Sequence, residues 1–266
     1  MTYYKLISIM PKFSLDVDAQ AFITATGITD ATQITAINNL VLGLKSNNIW
    51  TKMKAIYPMV GGTATTHKFN LKDPRDVDAA FRLVFSGGWT HSNNGALPNG
   101  TNGYADTKLI PNTTLNLNSA HISFYSRTNI SSGTDIGSSS AGFVSGIYIL
   151  NKYVGDGRNY LNLHGAGSTI EFTGFTRGDG FFCLRRNNST QIINSRNSSN
   201  TTYLQNSTSK TTSPIFISTL NVAGTNSFYS ARECAFSSIG EGLSDTESSN
   251  LNTAVTTFQT SLSRNV

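Results

Sequence analysis

SPIFISTLNVAGTNSFYSARECAFSSIGEGLSDTESSNLNTAVTTFQTSL, residues 213–262, is the stretch whose reading decides the fold. Pro214 to Leu220 and Ser227 to Gly240 are rich in Ile, Phe and Tyr and flank the turn Ala223-Gly224-Thr225-Asn226, the pattern of two antiparallel strands. Ser244 and Glu247 then stand at the spacing of a capping box, in which a hydroxyl and a carboxylate satisfy backbone N–H groups at a helix start. From there Leu251, Val255, Phe258 and Leu262 recur at helical spacing and form one stripe. A helix with a single apolar stripe needs an apolar surface to dock on.

Working outward, the chain of 266 residues is long enough for one large all-β domain. Charged residues make up 13%, about half the ~25% usual in soluble domains, and Asn, Ser and Thr supply the missing polarity. The net charge is +5, but Arg185-Arg186 is the one adjacent arginine pair and basic runs are lacking, which argues against nucleic-acid binding. Hydrophobic stretches stay well short of the ~20 residues of a membrane span, so no membrane insertion is expected. The start, Met1 to Pro11, lacks a signal-peptide core and cleavage site, and the chain is expected to fold in the cytosol where it is made. Cys183 and Cys234 are expected to be buried free thiols, with a bridge between facing strands as the alternative.

Tyr3 to Met10 has strand composition and reads as an arm added either to the protein's own sheet or to a neighbour. Asp30 and Gln33, followed by Ile34, Ile37, Val41 and Leu44, predict a helix ending near Asn47. Ile49 to Val60 fits both helical and strand periods. Asp73-Pro74 reads as a helix start with Asp73 as cap, and Phe81, Leu83 and Phe85 alternate as a strand. Beyond Gly87-Gly88 come short apolar runs: His121 to Ser126, Phe143 to Leu150, Tyr160 to Leu163, Thr169 to Phe172, Phe181 to Leu184, Gln191 to Ile193 and Ile215 to Leu220. Turn residues at close spacing between them predict a sandwich or barrel. Asn197 to Thr202 and Ser207 to Ser213 are polar and of low complexity, and read as loops.

The order strand, turn, strand, Leu243-Ser244-Asp245-Thr246-Glu247, closing helix resembles the end of a concanavalin A-like or laminin-G-like jelly roll. That resemblance implies a mainly β chain: a jelly-roll β-sandwich over residues 67–266 with a docked C-terminal helix, preceded by an arm and helical segment over 1–66. A second stretch, Ile49 to Thr107, with IWTKMKAIYPMVGGTATTHKFNLKDPRD, FSGGWTHSNNG and NGTNGYADT, is similar to uncharacterised virion proteins of tailed phages, crAss-like gut phages among them. It implies a virion protein, synthesised in the host cytoplasm and working as a homo-oligomer or beside other virion proteins.

For chemistry the sequence offers little. Hydrolases on this jelly roll carry paired carboxylates as Glu-x-Asp-x-Glu. Here Glu171, Glu233, Glu241 and Glu247 stand apart, while Asp73, Asp76 and Asp78 suit caps and turns. His67, His91, His121 and His164 lack zinc spacing, and a G-x-S-x-G elbow is absent. No catalytic residue, metal ligand or cofactor is expected, calcium at a loop rim being the alternative. Sugar sites pair an aromatic face with polar groups at turns. The candidate glycan-binding residues are therefore Trp89 and His91 after Gly87-Gly88, Tyr104 and Asp106 after Asn102-Gly103, and Tyr153, Asp156, Arg158 and Tyr160 around Gly155 to Gly157. The expected function is a structural or adsorption component of a phage virion, such as a head or tail fibre or a surface decoration, that binds host-surface carbohydrate. A free carbohydrate-binding module is the alternative, and a glycan hydrolase a third reading.

Overall fold

The capping box expected at Ser244 opens a helix over Asp245–Ser261 in the computed structural model, which describes residues 14–166, 170–172 and 176–266. The Ser244 hydroxyl accepts from the Glu247 N–H at 3.2 Å and the Glu247 carboxylate accepts from the Ser244 N–H at 2.8 Å. Lys52 also reaches that carboxylate, at 2.6 Å, and ties the helix start to the N-terminal half. Leu251, Val255 and Phe258 are buried, as the stripe requires.

Two more helices precede the strands: Val17–Thr26, capped by Asp16, and Ala31–Ser46, capped by Asp30. The first went unread in the sequence, because its apolar positions form no clear stripe. The apolar arm Tyr3 to Met10 lies outside the described residues. Ile49 to Val60 resolves into a short 3-10 turn at Trp50–Lys52 and a strand at Met53–Tyr57.

The architecture is the mainly β sandwich expected, of two sheets in the jelly-roll manner, with helices from both ends of the chain packed on one outer face. The helix-covered sheet runs Ser199–Leu204, Gln191–Arg196, Gly180–Arg186, Ala120–Ser126, Cys234–Gly240, Gly95–Pro98, Trp89–Ser92, with Met53–Tyr57 also paired to Cys234–Gly240. The open sheet runs Ile170–Phe172, Asn159–Leu163, Gly146–Leu150, Ile136–Ser139, Phe216–Ile217, Tyr104–Asp106, Val84–Ser86. The hairpin of Leu220–Val222 and Thr225–Ser227 lies beside Ile136–Ser139.

Side chains alternate across each strand. Ile122, Phe124, Leu184, Ile192 and Ile239 of the covered sheet meet Ile136, Ile147, Ile149, Leu161 and Ile217 of the open sheet in one buried core. On the opposite face of the covered sheet, Tyr125, Phe181, Cys183 and Phe236 join a second core with Phe22, Ile37, Leu44 and Phe258 from the helices. The two cysteines are thus free, buried and on opposite faces of that sheet.

Several expectations give way. Asp73 caps no helix: its carboxylate holds the Arg75 guanidinium at 2.8 and 2.6 Å, and the nearby turn is a 3-10 one at Asp78–Ala80. Phe81 has left-handed backbone, with φ 58°, so the strand begins only at Val84. The run Ser227 to Gly240 is two strands in different sheets, because Phe228 to Glu233 carries the chain across the sandwich. Asn197 to Thr202 is largely strand. Asn197 and Ser198, at φ 47° and 68°, form a two-residue hairpin turn, and Ser199–Leu204 ends the covered sheet. An edge strand needs little apolar surface, which is why its polar text looked like a loop.

An aromatic cleft on the open sheet as the candidate functional site

Register places one row of side chains on the outward face of the open sheet: Asp106, Phe216, Gly137, Tyr148 and Asn162 stand opposite one another on successive strands. Leu150 and Tyr160 pair in the adjacent row. Gly137 is required here, since a Cβ would lie 2.2 Å from that of Tyr148. Where the Tyr160 and Tyr148 strands meet the loops, Phe143, Tyr148, Leu150, Tyr153, Tyr160, Leu220 and Phe228 line a cleft of about 250 Å³.

The rings in the cleft stand edge to face. Tyr153 packs against Tyr160 at 5.9 Å between centroids and against Phe228 at 5.8 Å, the geometry aromatic quadrupoles favour. Two rim residues are held in left-handed backbone conformations, Phe143 at φ 58° and Phe228 at φ 55°, which costs roughly 1–3 kcal/mol each outside glycine. Both remain partly open to solvent, at 37% and 41%. Val144 and Val154, next in sequence to Phe143 and Tyr153, are exposed as well. Backbone strain combined with exposed rings suits a surface kept for contact rather than for the core.

A tight loop carries Tyr153. Its N–H donates to the Arg158 carbonyl at 2.7 Å, and the Gly157 N–H donates to the Tyr153 carbonyl at 2.7 Å. The Asp156 carboxylate accepts from the Arg158 N–H at 2.9 Å and from the Tyr160 hydroxyl. That hydroxyl, with the backbone N–H second, holds the Asp156 carboxyl below its ordinary range.

Beneath the cleft lies a fully buried ion pair, Arg232 to Asp135 at 2.7 Å. The Arg232 guanidinium also donates to the carbonyls of Ile130, Asn151 and Lys152, and Asn151 donates to Asp135 at 3.1 Å. Burial pushes the Asp135 carboxyl up against the pull of Arg232. The Thr134 N–H donates to the Phe228 carbonyl at 2.7 Å, and the Ser132 N–H to the Lys152 carbonyl at 3.0 Å. One buried cation therefore fastens the segments that bear Tyr153 and Phe228. A charge so buried is held only by a full set of partners.

Of the residues expected to bind glycan, Tyr153 and Tyr160 line the cleft and Asp156 and Arg158 belong to its rim loop. The others are engaged elsewhere. The Trp89 indole donates to the carbonyls of Ser86 and Tyr104 at 3.0 and 3.3 Å. His91 stacks on Trp89 at 5.9 Å, and its Nδ1 lies 2.9 Å from that of buried His67. Tyr104 shares the open face but stacks on Phe216 at 4.9 Å, and Asp106 pairs with Lys108 at 2.9 Å. Phe143, Tyr148 and Phe228 were not singled out in the sequence. Tyr148 was signalled by alternation, lying between inward Ile147 and Ile149. Phe228 needed the fold, because only the crossing of the sandwich brings it beside Tyr153.

Among the described residues no group of three His, Cys, Asp or Glu is placed to hold a metal ion, and no helix is long and apolar enough to cross a membrane. No protein-family model matches the sequence, and no curated protein is similar to it in sequence. Among solved structures the chain is similar to domain 4 of AbnA, a GH43 extracellular arabinanase from Geobacillus stearothermophilus, in complex with arabinotriose. That match has 10% identity and a TM-score of 0.47, over 75% of this chain and 98% of that one. It is similar to the Botulinum neurotoxin serotype D binding domain at 12% identity and a TM-score of 0.47, over 79% of this chain and 52% of that one. A third is a mutant of NanB sialidase from Streptococcus pneumoniae, at 14% identity and a TM-score of 0.42, over 61% of this chain and 27% of that one. The chain covers less than two thirds of the last two.

Proposed function

We propose that the chain is a non-catalytic binding module carried on a phage particle, and that its cleft takes a glycan of the host surface. The observation that carries this reading is the convergence of half-buried Tyr153 and Tyr160 and exposed Phe228 over buried Tyr148 in one cleft, with Asp156 and Arg158 in its rim loop. Rings of this kind pack on the C–H faces of sugars, while rim polar groups meet the hydroxyls. Glycoside hydrolysis would need two carboxylates across the bond. The seven residues that line the cleft include none, and Asp135 below is committed to Arg232. The particle context rests on the phage-like text of Ile49 to Thr107.

Binding of the intact chain to arrayed bacterial surface glycans tests the ligand class. At least one glycan should be retained, and Tyr153→Ala should weaken its binding by up to about tenfold, the scale of losing one stacked ring. Retention that ignores both Tyr153→Ala and Phe228→Ala, or no retention at all, sinks the glycan reading. Antibody labelling of purified particles tests the context. Glycan binding without particle labelling would favour a free binding module, and release of reducing ends by the pure chain would favour a hydrolase.

A further inference from the structure

The strand Ser199–Leu204 ends the helix-covered sheet, with its inner side paired in unbroken register from Gln191↔Leu204 to Arg196↔Ser199. It has six residues, against four, three and three in the other strands that end the two sheets, Trp89–Ser92, Ile170–Phe172 and Val84–Ser86. Half of its backbone N–H and C=O groups point outward, away from any strand of this sheet. Such edges are normally blunted by a charge, a proline or a bulge. This one has no bulge, and neither a charged residue nor a proline occurs from Asn197 to Ser209. Arg196, which precedes it, turns its guanidinium onto Asp179 at 2.8 and 3.1 Å. At the far end Leu204 is 86% exposed, the highest value among the large apolar side chains described.

We infer that this edge is an interface with a second copy of the same chain, the two Ser199–Leu204 strands pairing antiparallel across a two-fold axis. The strand is complementary to itself. In an antiparallel ladder, opposed residues turn their N–H and C=O groups both toward or both away from the partner. A strand that meets its own copy therefore pairs residues of like parity, and the axis falls on a residue. For a six-residue strand that residue is Thr201 or Thr202, and Thr opposite Thr is a favourable cross-strand pair. No like charges come together, because the strand has none. Pairing closes both edges at once and ends there, as an isologous contact does. It also joins two aromatic clefts in one particle, so that weak sites act together.

Sedimentation of the full chain across the micromolar range should show a monomer–dimer equilibrium. Thr201→Lys and Thr202→Lys each alter an exposed side chain and should weaken the dimer at least about tenfold, by setting like charges across the axis. Introduced cysteines give a second readout, since Cys183 and Cys234 are buried. Mild oxidation should link copies through Thr201→Cys or Thr202→Cys, and not through Thr90→Cys on the opposite edge strand. A chain monomeric throughout, a dimer indifferent to both lysines, or equal linking through Thr90→Cys overturns the inference. A dimer seen only when residues 1–13 are removed would assign the edge to the chain's own first segment and likewise overturn it.

Discussion

Both sheets carry aromatic side chains on their outward faces, and the two faces meet different fates. On the covered sheet Phe181 and Phe236 lie 6.2 Å apart, Phe258 of the closing helix packs on Phe236 at 6.5 Å, and none of the three is more than 2% exposed. On the open sheet Tyr148 is buried at its strand, but Tyr153 and Tyr160 are half-buried and Phe228 stays 41% exposed. The residue types are alike. What separates a core from a candidate binding surface here is whether a helix lies across the rings.

That contrast can be broken at its strongest points first. Two substitutions should cost about equally. Arg232→Ala strands the Asp135 carboxylate beneath the open face, and losing one member of a buried pair costs about 3–5 kcal/mol. Phe258→Ala empties the seat of the closing helix, for about 3–5 kcal/mol by the range for buried aromatics. Denaturant melts distinguish the faces further: Arg232→Ala should also abolish cleft binding at temperatures where the chain remains folded, whereas Phe258→Ala should leave binding intact there. A loss below about 1 kcal/mol for Phe258→Ala would mean that the helix contributes little to the covered core.

Taken per histidine and per unit of pH, the next effect is smaller. Burial holds His67 at about 3 and His121 and His164 at about 4, all from an ordinary 6.5. The unfolded chain takes up these protons first. Stability should therefore be level above about pH 6.5 and fall as the pH drops toward 4, by at most about 1.4 kcal/mol per unit for each histidine. His121→Gln, if it folds, should give a shallower slope by about one proton. Cleft binding should follow less steeply, because the Tyr160 hydroxyl holds the Asp156 carboxyl below its ordinary range. Smallest in stability is Phe228→Ala, expected to cost about 1 kcal/mol for the lost edge-to-face contact with Tyr153, with the backbone strain unrelieved because alanine also carries a Cβ. The same change should remove most of the glycan affinity, and equal losses in stability and binding would make the cleft an ordinary part of the core.

The sequence made the covered face far more legible than the open one. Ser244, Glu247, Leu251, Val255 and Phe258 announce a capped, one-sided helix, because caps and stripes are local signals. Short apolar runs such as His121 to Ser126 mark strands for the same reason. The cleft was half legible: Tyr153, Asp156, Arg158 and Tyr160 cluster in sequence around a glycine turn, and the fold keeps them together. Trp89 and His91 also followed a glycine pair, but their polar atoms are taken up by Ser86, Tyr104 and His67, partners that only tertiary pairing supplies. Arg232 and Asp135 are 97 residues apart, and nothing local to either announces their meeting. Ser199–Leu204 was hidden for the opposite reason, since a strand at an edge can be polar throughout.

The strand Cys234–Gly240 sits in the middle of its sheet, paired with Ala120–Ser126, Gly95–Pro98 and Met53–Tyr57. During synthesis Met53–Tyr57 leaves the ribosome well before it, and waits for its partner while all the strands between them are made. Contacts of such wide sequence separation slow folding, and unpaired strand edges in the waiting chain invite association. The earlier strands thus stay open until Cys234–Gly240 has been made. Ribosome-bound chains stopped at Ser227 should be digested readily by protease, whereas full-length chains released from the ribosome should resist.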